Sequence, residues 1–480
     1  MNPFADATTT IAAIRKRELS SAAVVELYAT RHERLHGRVN AIVTPDFSRA
    51  IETARQIDAQ HGSVSGALAG LPITVKDGIH VAGLPSTGGM IEPALAVATD
   101  DAPNVRRLRA AGAVILGKTN VPVANADWQS VNRLFGRTTN PWNPALTAGG
   151  STGGAAAVAA GLTGAEIGSD IGGSIRVPAA FCGIFAHKPS AGIVANSGHF
   201  PWRNDPDPGA IMAAQGPLTR SARDLELLFD VLCAPDGLDG RAWRIELPGP
   251  RFECMERCRV GILRLPAWIP VEQAILDAQK AVGDVLARSG ATVRDVDLSQ
   301  RFGDLSDYYG HYLTHLQCVL GGAMPPGARG KAAAKMRCYD DRFLGAVADG
   351  LEAHAGLMLE MLRMSLRHRE TWESVFAEID VLLAPVCNVN AFPNDDAFFY
   401  DRKVLIDGLA HPYYRLSAIP ALASLAGLPA TVFPTGRFAA TGAPIGLQAM
   451  GRYLDDRTVL RFALLVEAQI GGFVPPPGFE

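Results

Sequence analysis

The chain has 480 residues, of which 48% are hydrophobic and 19% charged, and its formal net charge is −3. This composition is typical of a well-buried globular enzyme and excludes a disordered or fibrous chain. Because the basic residues are scattered and balanced by acidic ones, the sequence predicts neither a nucleic-acid partner nor a membrane partner.

The N-terminal stretch and the cysteines both point to the cytoplasm. The first residues, MNPFADATTTIAAIRKREL, lack the basic start and apolar run of a secretory signal. The seven cysteines are dispersed, and the closest pair, Cys254 and Cys258, has no second pair or nearby histidine to complete a zinc set. We therefore expect reduced thiols, no metal and no cofactor.

Helices with polar faces are predicted over about residues 8–60, after which the pattern of apolar residues changes. Short apolar runs then alternate with helical stretches, which predicts an α/β layered fold with a mostly buried sheet. Residues 302–378 are mainly helical in pattern and could form a cap over one side of the core. The runs predicted as strands are 73–75, 113–116, 260–263, 381–384, 430–433 and 445–449. The stretches 201–216, 248–250 and 325–330, rich in proline and glycine, predict loops.

Residues 148–178, AGGSTGGAAAVAAGLTGAEIGSDIGGSIRVP, contain two serines seated among glycines. Acyl-transfer chemistry needs an exposed seryl oxygen beside backbone N–H groups that can face an oxyanion. A turn before Ser174 would present four amides to one point, those of Ile171, Gly172, Gly173 and Ser174. The structural alternative is a tight turn in which Ser174 only caps the following segment.

Ser151 allows three interpretations. It stands where an alanine-rich helix should begin, so it could be a helix cap. Gly149-Gly150-Ser151-Thr152-Gly153 also satisfies G-x-S-x-G, which would make Ser151 the nucleophile of an α/β-hydrolase. That motif requires a preceding strand, whereas TTNPWNPALTAGG has no strand character. It also requires a downstream histidine, for which the candidates are His311, His354 and His411. A phosphate loop is excluded because no Lys-Ser/Thr follows.

Lys76 ends an alternating run, LPITVK, in which Thr74 and Lys76 share one face. A lone lysine on a strand is usually a solvated charge. Burial in an apolar site would instead lower its pKa and allow it to act as a base for a serine.

These motifs together resemble the amidase signature family of serine hydrolases over about residues 8–472. The resemblance is carried by GLPITVKDGI, GKTNVPVA, FGRTTNPWNP, AGGSTGGAAAVAAG, GSDIGGSIRVPAAFCGIFAHKPSAG, GPLTRSARDLELL, LAGLPATVFPTG and APIGLQAMGR. It implies a mixed central β-sheet covered by helices on both faces. It also implies a single domain over residues 1–480, with a helical N-terminal part (about 1–65), a catalytic core (about 66–230) and a helical cap region (about 300–380).

The resemblance implies a Ser-cisSer-Lys triad that hydrolyses a carboxylic amide through an acyl-enzyme. Position by position, Ser174 is the nucleophile, Ser151 the serine in a cis peptide and Lys76 the base. The backbone N–H groups of residues 171–174 form the oxyanion hole. Asp170 and Arg176 brace the nucleophile turn, with a simple surface ion pair as the alternative, and Thr152 supports the neighbouring loop where the family often has a second serine.

Substrate and partners are less defined by these patterns. The residues expected to line an apolar pocket are Trp128, Phe200, Trp202 and Tyr309, although packing roles are an equal alternative. The family also includes a tRNA-dependent amidotransferase component, which usually carries Gln where this chain has Val177 and an SSLDQ segment where it has GHFPWRNDPDPGA. We therefore favour a free-standing amidase acting on a small-molecule amide over an amidotransferase component or a scaffold protein, and we expect a homodimer.

Overall fold

A computed structural model describes residues 1–60, 66–92, 96–200, 212–235, 237–322, 324–437 and 440–480. Within these residues, eleven strands form one mixed sheet and four more form two small hairpins. The strands are β1 (Ile42–Pro45), β2 (Pro72–Lys76), β3 (Val114–Thr119), β4 (Val131–Asn132), β5 (Gly136–Arg137), β6 (Ala165–Asp170), β7 (Phe185–Lys188), β8 (Ala214–Thr219), β9 (Arg259–Arg264), β10 (Thr292–Asp297), β11 (Val381–Pro385), β12 (Lys403–Ile406), β13 (Leu409–Pro412), β14 (Ala430–Arg437) and β15 (Pro444–Met450).

Helices flank this sheet along the whole chain. They are α1 (Ala7–Arg15), α2 (Ser21–Val39), α3 (Phe47–Asp58), α4 (Pro103–Ala110), α5 (Gly154–Ala159), α6 (Arg176–Cys182), α7 (Ala222–Leu232), α8 (Gln273–Arg288), α9 (Ser299–Phe302), α10 (Leu305–Gly321), α11 (Pro326–Arg337), α12 (Arg342–Leu351), α13 (Ala355–Phe376), α14 (Ala418–Ala426) and α15 (Asp456–Ile470). Helices α9–α13 occupy the region predicted as a helical cap.

The large sheet has the order β1-β3-β2-β6-β8-β7-β14-β15-β11-β9-β10 and mixes parallel with antiparallel pairs. Both of its faces are covered, because neighbouring residues of one strand enter different apolar cores. In β7, Phe185 packs in the core that contains α7 and α15, whereas Ala186 packs in the core that contains α5 and α6. The predicted α/β fold with a buried mixed sheet is therefore confirmed.

All six predicted strands are present, as β2, β3, β9, β11, β14 and β15. Two predicted loops are wrong in part. Strand β8 begins at Ala214, inside the stretch 201–216, whose residues 201–211 lie outside the described part. Helix α11 begins at Pro326, inside 325–330, because proline suits the first turn of a helix, where its missing N–H costs nothing.

The site lies at the end of the sheet where strands β2 and β6 finish, and not at an edge strand. Strands β2 and β6 are parallel neighbours, with Val75 opposite Ile167. Parallel strands end at the same edge, so Lys76 at the end of β2 and Asp170 at the end of β6 are brought together. Open α/β sheets bind ligands outside the carboxyl ends of such strands.

Candidate active site

Lys76 has a fully buried side chain. Its Nζ donates to Ser151 Oγ at 2.7 Å and to Ser169 Oγ at 2.9 Å, and it lies 3.4 Å from the Ser169 carbonyl oxygen. Burial lowers the pKa of Lys76 to about 7, because removal from water disfavours the ammonium form. The carboxyl groups that partly offset this effect are those of Asp170, Glu166 and Asp77. The amine can therefore lose its proton near neutral pH.

The loop that carries Ser151 is held close to the backbone of residues 127–129. The peptide bond between Gly150 and Ser151 is cis. A Cβ on Gly150 would lie 2.5 Å from the Asp127 carbonyl oxygen, so the close approach requires glycine. Helix α5 has Gly153 as its N-cap residue, with no side-chain cap. The interpretation of Ser151 as a helix cap is therefore wrong, and its hydroxyl is bonded to Lys76 instead.

A buried ion pair closes the turn between β6 and α6. Arg176 Nε and Nη2 donate to Asp170 Oδ2 and Oδ1, both at 3.0 Å, and both side chains are fully buried. Asp170 also accepts the backbone N–H groups of Gly173 at 2.8 Å and Ile175 at 3.1 Å. Burial alone would raise the pKa of Asp170, but the Arg176 charge and these hydrogen bonds lower it to about 2. The alternative of a surface ion pair is therefore wrong.

Ser174 follows Gly173, whose φ of +102° lies in the region that favours glycine. It does not cap α6, because Ile175 occupies the N-cap position. Ser174 is 7% exposed, and within the described residues its hydroxyl has no hydrogen-bond partner. The Gly173 N–H is already engaged by Asp170. The amides left as candidate oxyanion donors are those of Ile171, Gly172 and Ser174.

Two polar residues at this site were not found from the sequence. Ser169 precedes Asp170 on β6, and its Oγ lies 2.7 Å from His199 Nε2 as well as 2.9 Å from Lys76 Nζ. His199 comes from the loop after β7, about thirty residues further along the chain. The alternation of side chains between the two faces of β6 is the only sequence signal that could have placed Ser169 beside Lys76. No local pattern in the sequence marks His199.

Thr152 does not bond to any of these groups. Its Oγ1 is buried and has no hydrogen-bond partner within the described residues. A Cβ on Gly168 would lie 2.9 Å from that oxygen, so the side chain fills the space over β6. Thr152 therefore supports its loop by packing.

Two aromatic residues predicted to line a pocket are buried and donate to backbone carbonyl oxygens. Trp128 is 6% exposed, and its indole N–H donates to the Gly172 carbonyl oxygen at 3.0 Å. It therefore fixes the loop that carries the candidate oxyanion amides. Tyr309 is 1% exposed, and its hydroxyl donates to the Tyr414 carbonyl oxygen at 2.9 Å and lies 2.8 Å from Ser417 Oγ. The assignment of Tyr309 to a substrate pocket is corrected, because its side chain packs in the core.

The other two predicted pocket residues follow His199. Phe200 is partly buried, and its N–H donates to the Gly78 carbonyl oxygen at 2.9 Å, which places it beside the end of β2. Its role in a pocket stays a prediction. Trp202 lies outside the described residues.

The interpretation of Ser151 as the nucleophile of a G-x-S-x-G turn finds no support. Only isolated bridges at Leu146 and Thr147 precede it, in place of the strand that this motif requires. Each histidine considered as a partner lies elsewhere. His311 pairs with His368, His354 caps α13, and His411 lies in the β12–β13 hairpin.

Comparisons with known proteins identify the family of the chain. The sequence model of the Amidase family matches residues 23–460. The chain is 32% identical to an indoleacetamide hydrolase of Bradyrhizobium diazoefficiens, over 97% of this chain and 86% of that protein. It is 30% identical to a component of the glutamyl-tRNA(Gln) amidotransferase of Nitratidesulfovibrio vulgaris, over 98% and 99%. The crystal structure of a bacterial aryl acylamidase of the amidase signature family superposes with a TM-score of 0.80 and 26% identity, over 98% of this chain and 96% of that one.

Fold and matches together define the class as enzymes that hydrolyse carboxylic amides. The chain belongs to the Amidase family, also called the amidase signature family. Within its described residues, no group of three or more His, Cys, Asp or Glu side chains could hold a metal ion. None of the helices in the same residues is long and apolar enough to cross a membrane.

Proposed function

We propose that the chain is a free-standing amidase that works through an acyl-enzyme on Ser174, with Ser151 as proton relay and Lys76 as base. The observation that carries this proposal is the fully buried Lys76 Nζ, 2.7 Å from Ser151 Oγ, beside a glycine-rich turn that presents Ser174. A buried amine with a lowered pKa is the kind of base that can activate a serine without a histidine.

In the first half-reaction, neutral Lys76 accepts the Ser151 proton while Ser151 accepts the proton of Ser174. The Ser174 oxygen forms a bond to the amide carbonyl carbon, and the carbonyl oxygen becomes an oxyanion. The N–H groups of Ile171, Gly172 and Ser174 stabilise that charge, and each such donor contributes about 10²–10³ in rate. Collapse breaks the C–N bond, and the leaving amine takes the proton back from Lys76 through Ser151.

In the second half-reaction, water attacks the ester that now links the acyl group to Ser174. The water proton passes through Ser151 to Lys76, and the same amides stabilise the second oxyanion. Breaking the ester releases the carboxylic acid, and Ser174 recovers its proton. The products are a carboxylate and ammonia or an amine.

The substrate that we propose is a small carboxylic amide. Similar proteins are named for indoleacetamide and for aryl acylamides, so primary arylacetamides and anilides are the first compounds to test.

The second candidate is an amidotransferase component, favoured by the 30% identity to one such chain. Val177 and the segment after His199 argue against it. Turnover by the isolated chain supports the free-standing enzyme, whereas activity only with co-purified chains would support the amidotransferase. Both a cytoplasmic location and a homodimer stay predictions.

A fluorophosphonate probe is expected to label Ser174, because it reacts with serines that a base has activated. Peptide mass spectrometry of the labelled chain locates the modified residue. The Ser174→Ala variant is expected to remain unlabelled, and the exposed Ser374 to be untouched in both proteins. A label on Ser151 would overturn the assignment of the nucleophile, and no label on the folded wild type would overturn the proposed function.

The value of kcat/KM is expected to fall by about tenfold per pH unit below about pH 7. Only neutral Lys76 accepts a proton, and its neutral fraction falls in that proportion below a pKa of about 7. Glu166 complicates this profile, because burial also raises its pKa to about 7. The Glu166→Gln variant separates the two groups. Its acid limb should persist and move to lower pH, because the Glu166 charge raises the pKa of Lys76. Loss of the limb in that variant would assign it to the carboxyl group instead.

A further inference from the structure

Lys76 has a second hydroxyl neighbour, and a histidine lies behind that hydroxyl. Ser169 Oγ is 2.9 Å from Lys76 Nζ and 2.7 Å from His199 Nε2. The other ring nitrogen, Nδ1, is 2.7 Å from the Phe200 carbonyl oxygen. These contacts form one series from a backbone carbonyl, through an imidazole and a hydroxyl, to the amine of the candidate base.

The backbone fixes the position of His199. The segment 198–200 pairs with the segment after β2, where His80 N–H donates to the Gly198 carbonyl oxygen at 2.8 Å and Phe200 N–H donates to the Gly78 carbonyl oxygen at 2.9 Å. His199 itself forms an antiparallel bridge with Ile79. The ring is thus held against the same strand end that carries Lys76, and it cannot move away without breaking those bonds.

Each hydrogen bond in the series has only one possible direction. A carbonyl oxygen only accepts, so His199 Nδ1 carries the ring proton. Burial and the nearby Lys76 charge lower the pKa of His199 to about 3, so the ring is neutral and Nε2 accepts. Ser169 must then donate its hydroxyl proton to Nε2, which leaves its oxygen lone pairs for Lys76.

The same reasoning orients the amine. A neutral amine has two N–H groups and one lone pair. Ser169 supplies two acceptors to Nζ, its Oγ at 2.9 Å and its carbonyl oxygen at 3.4 Å. The third neighbour is Ser151 Oγ at 2.7 Å. The ammonium form donates one N–H to Ser151 Oγ, but the neutral amine directs both of its N–H groups at Ser169, so its lone pair faces the Ser151 hydroxyl from which the base must take a proton.

We propose that His199 is a positioning residue which, through the Ser169 hydroxyl, directs the lone pair of Lys76 at Ser151. Without His199, the Ser169 hydroxyl is free to turn its proton toward the amine and compete with Ser151 for the lone pair. This inference rests on the proposed function. It assigns no proton transfer to His199, whose proton stays on Nδ1 throughout.

Two substitutions of His199 test this proposal as a matched pair. In His199→Gln, the side-chain oxygen reaches the place of Nε2 and can accept from Ser169. In His199→Asn, the amide reaches only the place of Nδ1. We expect His199→Gln to retain most activity and His199→Asn to lose about tenfold to hundredfold in kcat with KM little changed, as misoriented reacting groups do. The rate of fluorophosphonate labelling at Ser174 should fall in parallel, and it needs no known substrate.

A double-mutant cycle supplies the second measurement. Ser169→Ala is expected to lose as much as His199→Asn, Ser169→Thr to keep its hydroxyl and its activity, and the double variant Ser169→Ala/His199→Asn to be no slower than Ser169→Ala alone. Additive losses, equal losses in His199→Gln and His199→Asn, or wild-type rates in His199→Asn would each overturn the proposal. A Lys76→Met control assayed alongside separates the two claims. If it stays active, the proposed function fails, whereas an inactive control beside a fully active His199→Asn refutes only the role of His199.

Discussion

Replacing Lys76 with methionine is expected to lower amide turnover by about 10²–10⁴, which is the usual contribution of a general base. Methionine matches the length and volume of the lysine stem but has no lone pair to accept the Ser151 proton. Lys76→Arg is expected to be equally slow, because a guanidinium stays protonated in proteins. The measurement is kcat on an arylacetamide or anilide, together with the rate of fluorophosphonate labelling at Ser174.

The same Lys76→Met substitution should not destabilise the fold. Burial lowers the pKa of this amine, so the folded state disfavours the charged form that the unfolded chain prefers. An apolar side chain of similar volume removes that cost, and the thermal midpoint is expected to stay at or above that of the wild type.

Lys118→Met is a matched control for that result. Lys118 is also fully buried, one strand away on β3, but its Nζ donates to Ser86 Oγ and the Pro85 carbonyl oxygen. We expect a far smaller loss of turnover there. If Lys76→Met works at the wild-type rate across about pH 6–9, another group is the base.

The six strands that the sequence predicts are mostly buried, but burial alone does not make a strand predictable, because β6, β7 and β8 are fully buried and were not predicted. β2, β11 and β15 are buried along their whole length, and β11 (VLLAP) is a continuous apolar run because helices cover both faces of the sheet. β10 was missed because it is an edge strand of sequence TVRDVD, mostly exposed and rich in charge. β1 was missed because it is only four residues long, three of which pair with β3, and it lies inside a stretch of helical pattern. Edge strands owe their conformation to a distant neighbour rather than to their own composition.

The residues of the site also differ in how far the sequence predicts them. Lys76, Ser151 and Ser174 sit in short motifs whose residue types and glycine spacing identify them. Ser169 and His199 belong to the same hydrogen-bonded group, yet they are joined only by the pairing of residues 198–200 with the end of β2. The use of the Gly173 N–H by Asp170 was equally hidden, since it depends on the direction of a single carboxylate. The sequence predicts site residues that lie in short motifs, but tertiary contacts decide which partner each polar atom has.

Arg176→Met is expected to destabilise the protein by about 3–5 kcal/mol, the usual cost of removing one partner from a buried ion pair. The guanidinium is fully buried and also donates to the Pro420 carbonyl oxygen at 3.2 Å and to Ser424 Oγ at 2.9 Å, which ties α14 to the nucleophile turn. Without it, Asp170 keeps its burial but loses the charge that stabilises its ionised form. Denaturant unfolding monitored by circular dichroism measures the loss.

The pH dependence of that loss has a definite sign. In the wild type, the pKa of Asp170 is lowered to about 2, so its stabilising contribution is present above the ordinary value of 3.8 and lost as pH falls toward 2. In Arg176→Met, burial dominates and raises the pKa of Asp170, so the folded state gains a proton that the unfolded chain lacks. The difference in stability between the variant and the wild type should therefore be largest in alkaline buffer and shrink steadily as the pH falls.

Two further variants isolate the buried charge as the cause. Arg176→Met/Asp170→Asn should regain part of the stability lost by Arg176→Met, since no uncompensated carboxylate remains buried. Arg337→Met removes an exposed arginine paired with Asp349 and Glu352 and should cost less than about 1 kcal/mol. Equal losses at Arg176 and Arg337, or a double variant less stable than Arg176→Met, would show that packing around the side chain, and not the unpaired Asp170, accounts for the effect.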